Sequence, residues 1–354
     1  MSDINKISLI EKLAWKFPRG PKNAIIDVND VKVGHLTVSR DTFGRSGQKI
    51  PIRTGVTAVL PSGLEDDRRF FFGFSSFKNR SDFTGYAVAE DFAYLNSPIV
   101  LANPYDTGTV YNAVLSCGFL IGRSEIWPPV VLSVDDSYLN GSDGATIKDS
   151  DVIRLIKNVS DRTIEEGSIG IGSGLKAYDS KGGIGLSSRI IAFGGKQFTI
   201  GTLVASNCGN SRRANNGDSS PKEGEFESQG SLTMILATDI PLLPYQIRQV
   251  TAGIILSLPP FETTRSQGDA KVCLLFTTAN SVSWKETELK KMELRAIDDS
   301  ALDGITIAGS ESVKEAVLRS LSLAVSIKGN LNRRLDPISE DSFALVLESF
   351  AKTL

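Results

Sequence analysis

The step Gly230-Ser231 brings together the residue types of a self-contained hydrolytic centre. A polar, breaker-rich stretch, Asn215-Asn216-Gly217-Asp218-Ser219-Ser220-Pro221 through Gln229, runs straight into the apolar segment Ser231-Leu232-Thr233-Met234-Ile235-Leu236-Ala237, so a serine heads a strand. Cleavage of the Gly230 peptide bond would give that serine a hydroxyl nucleophile and a free α-amine on one residue, a nucleophile and its base without any histidine. A free α-amine titrates near ~7.7–8.0, which suits general-base work at neutral pH. The point matters because the 354-residue chain has a single histidine, His35, set in the alternating run Val31-Lys32-Val33-Gly34-His35-Leu36-Thr37-Val38. A hydrolase built on this chain must dispense with imidazole.

Other catalytic patterns carry little. Ser-x-x-Lys spacing occurs at Ser46, Ser75, Ser173 and Ser219, and so many matches in one chain mean nothing singly. There is no Gly-x-Ser-x-Gly elbow and no phosphate-binding loop. The lone His35 and the isolated pair Asp135-Asp136 supply no metal cluster, so neither a metal nor another cofactor is expected. The glycine-rich run Gly167-Ser168-Ile169-Gly170-Ile171-Gly172-Ser173-Gly174, followed by Lys181-Gly182-Gly183-Ile184-Gly185, has two compatible readings. It is a tight turn where backbones pack closely, or a set of backbone amides lining a pocket for a developing oxyanion.

The bulk properties exclude several classes. A chain 41% hydrophobic and 23% charged buries a substantial core. A net charge of −2 offers no basic field for nucleic acid. Cys117, Cys208 and Cys273 lie far apart without CxxC spacing, which leaves no disulfide framework or zinc knuckle and points to a reducing, cytoplasmic setting. Residues Met1 to Phe17 read as an amphipathic helix rather than a signal peptide, and no apolar run reaches membrane-spanning length.

The elements that must position Ser231 alternate irregularly along the chain. Strands are expected at Ala24-Val28, Lys32-Val38, Gly55-Leu60, Arg69-Phe74, Ile99-Ala102, Val130-Val134, Ser188-Phe193, Phe198-Ala205, Leu232-Thr238, Lys271-Thr277 and Gly304-Ile307. Helices are expected at Gly85-Leu95, Gly108-Gly118, Ser150-Asn158, Pro244-Leu258, Ser310-Ile327 and Asp341-Lys352. Long antiparallel-looking strands with intervening helices predict an α+β or layered αββα body.

Several of these segments resemble one known family. Asn23-Ala24-Ile25-Ile26-Asp27-Val28 with Val31-Lys32-Val33-Gly34-His35, then Arg53-Thr54-Gly55-Val56-Thr57-Ala58, Glu166-Gly167-Ser168, Lys181-Gly182-Gly183-Ile184-Gly185, Gly201-Thr202-Leu203-Val204-Ala205-Ser206-Asn207, and Gly230-Ser231 with Ala237-Thr238-Asp239-Ile240-Pro241 are similar to the DmpA-type self-processing aminopeptidases. This is peptidase family S58, which includes the β-peptidyl aminopeptidases. The likeness runs in order from about Pro18 to the C-terminus.

The resemblance implies a four-layer αββα sandwich similar to N-terminal-nucleophile hydrolases. It implies one precursor that cuts itself at Gly230-Ser231 into an N-terminal chain, 1–230, and a C-terminal chain, 231–354, which together remain one domain. The family's oxyanion-hole asparagine falls on Asn207, and Asn103 falls on a pocket residue. Partners implied are a small peptide or amide substrate and further copies, as a homo-oligomer of processed heterodimers.

The departures bear on substrate. After the Pro-Val-Val strand the family has Glu-Thr-Tyr-Asp-Gly, where this chain has Ser133-Val134-Asp135-Asp136-Ser137. This places Ser133 and Asp135 where a glutamate and a tyrosine would meet the substrate. The family's Ser-Gly-Asp/Glu step that buttresses the nucleophile falls by spacing on Asp269-Ala270-Lys271, or, with a shift, on Ser266 to Asp269. Its Asn-Gly-Glu before Thr-Gly falls on Arg80-Ser81-Asp82. Two functions follow: a self-processing amidase or aminopeptidase with a rebuilt pocket, or a family member that has lost hydrolysis and serves as a binding protein.

Overall fold

The computed structural model of the chain describes residues 3–44, 47–61, 68–78, 81–120, 128–142, 144–208, 230–258, 270–283 and 294–354. The elements in chain order are α1 (Asp3–Glu11), β1 (Lys32–Phe43), β2 (Lys49–Leu60), β3 (Arg68–Phe77), α2 (Tyr86–Phe92), β4 (Tyr94–Leu95), β5 (Ile99–Ala102) and α3 (Thr107–Leu120). There follow β6 (Val130–Ser133), α4 (Asp149–Lys157), β7 (Lys176–Ala177), β8 (Ser180–Lys181), β9 (Gly183–Phe193), β10 (Lys196–Asn207) and β11 (Ser231–Thr238). The C-terminal part adds α5 (Pro244–Ser257), β12 (Ala270–Ser283), α6 (Leu302–Ser322), β13 (Ile327–Lys328), β14 (Arg334–Leu335) and α7 (Glu340–Ala351).

Two sheets form the middle of the molecule. One has the order β1-β2-β5-β6, and the other β4-β3-β12-β11-β10-β9. Their facing sides bury Val59, Leu101 and Leu132 against Phe72, Phe74, Leu203, Ala205, Ile235, Ala237 and Leu274. The outer side of the four-stranded sheet packs Val56, Val100 and Val131 on Val110, Ala113 and Val114 of α3 and on Val152, Leu155 and Ile156 of α4. The outer side of the six-stranded sheet packs Leu232, Met234, Leu236, Cys273 and Leu275 on α5, α6 and α7. The period-two alternation along β11, Leu232/Met234/Leu236 outward and Ile235/Ala237 inward, is what a strand covered on both faces requires. The layers are therefore α, β, β and α.

A buried ionic cluster ties the N-terminal segment to this body. Arg189 of β9 is fully buried, pairs with Glu315 at 2.7 Å and Glu311 at 3.2 Å on α6, and lies over the Trp15 ring at 4.5 Å. The Glu311 carboxylate also accepts from the Lys16 and Phe17 amides. Burial would raise the Glu315 carboxyl, but Arg189 and Arg19 hold it below its usual range. Such a cluster persists only because every charge has a partner.

Four expected elements differ. Ala24-Val28 is not a strand but a short 3-10 turn at Ile25–Asp27. The Asp27 carboxylate accepts from the Lys22 and Ala24 amides and the Ser188 hydroxyl, which curls the chain and buries the consecutive Ile25 and Ile26 together. Gly304-Ile307 lies inside α6, where Leu302, Ile305 and Ala308 recur at helical spacing that a four-residue window cannot display. The helix expected over Gly85-Leu95 stops at Phe92, because Ala93 takes φ 55° and releases Tyr94–Leu95 to pair with β3. Similarly, α1 ends at Glu11, short of Phe17.

At Gly185 a side chain has no room: a Cβ would sit 1.8 Å from the Ala316 carbonyl oxygen. Close contact of β9 with α6 depends on that glycine. Gly185→Ala is expected to force the helix off the sheet and lower stability by ~3 kcal/mol, read as a fall in the denaturant midpoint without loss of two-state unfolding.

Candidate active site

Antiparallel pairing of β10 with β11 sets Asn207 directly opposite Ser231. Asn207 shares parity with Leu203 and Ala205, and Ser231 with Ile235 and Ala237, so both side chains stand on the inter-sheet face where the core ends. Directly opposed residues have Cβ atoms about 4.5–5.5 Å apart. Both residues are 8% exposed. On the other edge of β11, Ser231 is in parallel register with Ala270, whose amide donates to the Gly230 carbonyl at 3.0 Å.

The Asn207 side chain is fixed at both ends. Its Oδ1 accepts from the Lys176 amide at 3.0 Å, and its Nδ2 donates to the Asp135 carbonyl at 2.7 Å. The second bond joins the two sheets where β5 and β6 finish in parallel at Ala102 and Ser133.

The other expected site residues distribute around this pair. Asp135 is exposed, and its Oδ1 accepts from the Ser137 amide at 2.9 Å, so its carbonyl rather than its carboxylate meets Asn207. Ser133 is buried, with its Oγ accepting from the Asp82 amide at 2.8 Å while its own amide donates to the Asp82 carbonyl. That clip fixes the end of β6 and leaves the exposed Asp82 carboxylate outside it. Asn103 is turned inward: its Nδ2 donates to Thr54 Oγ1 and Asp106 Oδ2, and its Oδ1 accepts from the Asp106 amide. The amide of Asn103 is spent on the start of α3. Lys271 alternates with Cys273 and Leu275, which face the helices, so it stands on the opposite side of the sheet from Ser231. Its period-two position separates it from the pair. Asp269 lies outside the described residues, as does the polar stretch 209–229.

The glycine-rich run folds as a short 3-10 turn at Gly170–Gly174 in which close packing decides the composition. A Cβ at Gly55 would lie 2.3 Å from the Gly170 carbonyl oxygen. The carbonyls of Gly172 and Leu175 accept from Lys181 Nζ. At the end of the run the Lys176 amide reaches the site, on Asn207.

Two buried ionisable groups escaped the sequence reading. Lys181 is fully buried, and burial draws its pKa from 10.5 to about 7. Asp136, which follows the exposed Asp135, is buried and accepts from Asn140 Nδ2 at 3.1 Å, and its Oδ2 has no hydrogen-bond partner among the described residues. Burial, reinforced by Asp135 and Asp106, raises its pKa to about 7. Only the Asp136/Asn140 spacing of four residues hinted at that pairing.

The sequence and the fold are similar to those of known proteins. The sequence profile of peptidase family S58 matches residues 23–335. A β-peptidyl aminopeptidase of Sphingosinicella microcystinivorans is 27% identical over 336 residues, covering 88% of this chain and 84% of that protein. The solved structure of the L-aminopeptidase D-Ala-esterase/amidase of Ochrobactrum anthropi, described as a variant of the Ntn hydrolase fold, superposes with a TM-score of 0.82 at 28% identity, covering 97% of this chain and 98% of that one. A protein of Pyrococcus horikoshii superposes with a TM-score of 0.81 at 30% identity, covering 95% of this chain and 97% of that one. The chain belongs to peptidase family S58 and has the α+β sandwich of the Ntn hydrolases.

Asp136 gives a pH test. A carboxyl whose folded pKa lies above its unfolded value binds its proton more tightly when folded, so its contribution to stability is present at low pH and is lost as pH rises through about 7. Asp136→Asn removes that dependence. Relative to wild type, the variant should gain stability between pH 5 and pH 7.5, with a slope approaching ~1.4 kcal/mol per pH unit, measured by urea unfolding at each pH.

Proposed function

We propose that this chain is a serine aminopeptidase that first cuts its own Gly230-Ser231 bond and then hydrolyses a small peptide or amide. The observation that carries the proposal is the opposition of Asn207 and Ser231 on one face of the sheet, with the Gly230 carbonyl held by the Ala270 amide. In the first reaction Ser231 Oγ attacks the Gly230 carbonyl carbon, the C–N bond breaks, and an ester links Gly230 to Ser231 Oγ. Water then hydrolyses the ester, leaving the Gly230 carboxylate and a Ser231 that carries both hydroxyl and α-amine. Glycine at 230 offers no side chain to obstruct the attack.

In the second reaction the α-amine takes the proton from Oγ as it attacks the substrate carbonyl and returns it to the departing amine, and water then hydrolyses the acyl–Ser231 ester to release the acid and restore the hydroxyl. The Asn207 amide has two protons, one engaged by the Asp135 carbonyl, and the other is the donor for the tetrahedral oxygen. The expected products of processing are Met1 to Gly230 and Ser231 to Leu354.

Intact-mass analysis of freshly purified protein tests the first reaction. Two masses that comigrate under native conditions are expected. A chain still uncut after long incubation at neutral pH would move the reading to a binding protein without hydrolase activity. Ser231→Ala should give a folded, uncut, inactive precursor, and Ser231→Cys should still process in part. Asn207→Ala should lower kcat by about 10²–10³, with the fold retained. Self-cleavage and hydrolysis by Ser231→Ala would sink the nucleophile assignment.

Substrate choice follows from the residues near Asn207. The exposed Asp135 carboxylate is carried by the same residue whose carbonyl holds this side chain, and it is the group proposed to receive a substrate ammonium. A charged partner at that position decides which amines bind. Asp135→Asn should raise KM for arylamides with a free amino end by roughly tenfold and leave their N-acylated counterparts unchanged. Equal KM values for both substrate types in wild type and variant would remove Asp135 from the site.

A further inference from the structure

Lys181 is a fully buried cation whose role the proposed reaction does not use. Its Nζ lies 2.6 Å from the Gly172 carbonyl oxygen, 2.7 Å from that of Gly182 and 3.1 Å from that of Leu175. An ammonium has three protons, and three carbonyls take them. The β7–β8 hairpin brings it there: Lys181 pairs with Lys176 across the turn, and its own amide donates to the Asp336 carbonyl. Gly182 lets this hairpin lie against the end of β10, since a Cβ there would sit 2.2 Å from the Ser206 carbonyl oxygen.

The third of these carbonyls gives the cation a line to the site. Leu175 C=O and Lys176 N–H are the two ends of one peptide unit. Lys181 donates to its oxygen, and its N–H donates to Asn207 Oδ1 at 3.0 Å. A cation on the oxygen draws electron density through the planar amide and makes the N–H a stronger donor. The same effect passes through the second amide. A stronger bond to Asn207 Oδ1 makes the Asn207 Nδ2 protons more positive, and one of them is the proposed oxyanion donor.

We propose that Lys181 is a positioning residue that acts on the oxyanion through the Leu175–Lys176 peptide and the Asn207 amide. This role rests on the reading of Asn207 given above. It accounts for a buried charge satisfied by carbonyls, an arrangement costlier than an apolar residue of similar length if only the turn had to be stapled. Below pH 7 the ammonium is the prevailing form, since burial brings its pKa to about 7. The effect belongs to the transition state, where charge develops on the oxygen, and so to kcat rather than KM.

The test is a double-mutant cycle of Lys181→Met and Asn207→Ala, read as kcat and KM at pH 6.5 on the arylamides of L-alanine and β-alanine. Lys181→Gln serves as the second variant if the methionine does not fold. Loss of the cation should lower kcat roughly tenfold with KM within about twofold of wild type. In the Asn207→Ala background the same substitution should change kcat by less than about twofold, because the route to the oxyanion is already cut. Equal losses in both backgrounds would reduce Lys181 to a structural staple and overturn the inference alone. A wild type that neither cuts itself nor hydrolyses either arylamide would overturn the proposed function and this role with it.

Discussion

The register between β10 and β11 is the constraint on which the site depends. With Asn207 opposite Ser231, both polar side chains reach the inter-sheet face at the end of the core, while Leu232, Met234 and Leu236 fill the space under the helices. A slip of one residue would exchange the faces, burying Ser231 against α5 and α6 and exposing leucines to the facing sheet. The apolar demand of two cores therefore fixes the opposition of Asn207 and Ser231. Glycines at 55, 182 and 185 then allow neighbouring backbones to approach until the hairpin carrying Lys176 and Lys181 touches the end of β10.

Charge in this molecule is buried in two ways. Arg189, Glu311, Glu315 and Arg19 form a closed set of opposite charges that fastens the N-terminal segment to β9 and α6. Lys181 and Asp136 are the contrary case. Lys181 is held by three carbonyls and Asp136 by a single amide donor on one of its two oxygens, each is drawn by burial toward a pKa of about 7, and both lie within one residue's reach of the groups that hold Asn207. Compensated charge serves cohesion, whereas charge without an opposite partner sits beside the Asn207–Ser231 pair.

Much of this was legible in the residues. Period-two alternation located most strands of both sheets, and the polar-to-apolar change at Gly230 marked the head of β11. The family likeness singled out Asn207, and strand pairing sets that residue opposite Ser231. Tertiary facts were hidden. Asp27 converts an apolar run into a turn through bonds to residues on either side of it, and Ser188 contributes from far along the chain. Lys271 was placed by spacing along the sequence, which does not say on which side of a strand a residue falls until the partner strand is known. Lys181 was visible only as part of a glycine-rich motif, because its partners are carbonyls, and every residue has one.

The six-stranded sheet carries one further consequence. Its order places β12 and β11 between β3 on one side and β10 on the other, so residues beyond 230 supply the two central strands of a sheet whose remaining strands all precede them. Removing that pair would leave a gap about 10 Å wide through the middle of the molecule, lined by unpaired backbone and by two opened cores. Such an insertion is easy to make while the segments are tethered and their local concentration is high. Once the tether is gone, reassembly becomes bimolecular and depends on dilution. A chain opened at residue 230 would then owe its persistence to slow unfolding rather than to a recoverable equilibrium, and its lifetime, not its melting temperature, would describe its durability.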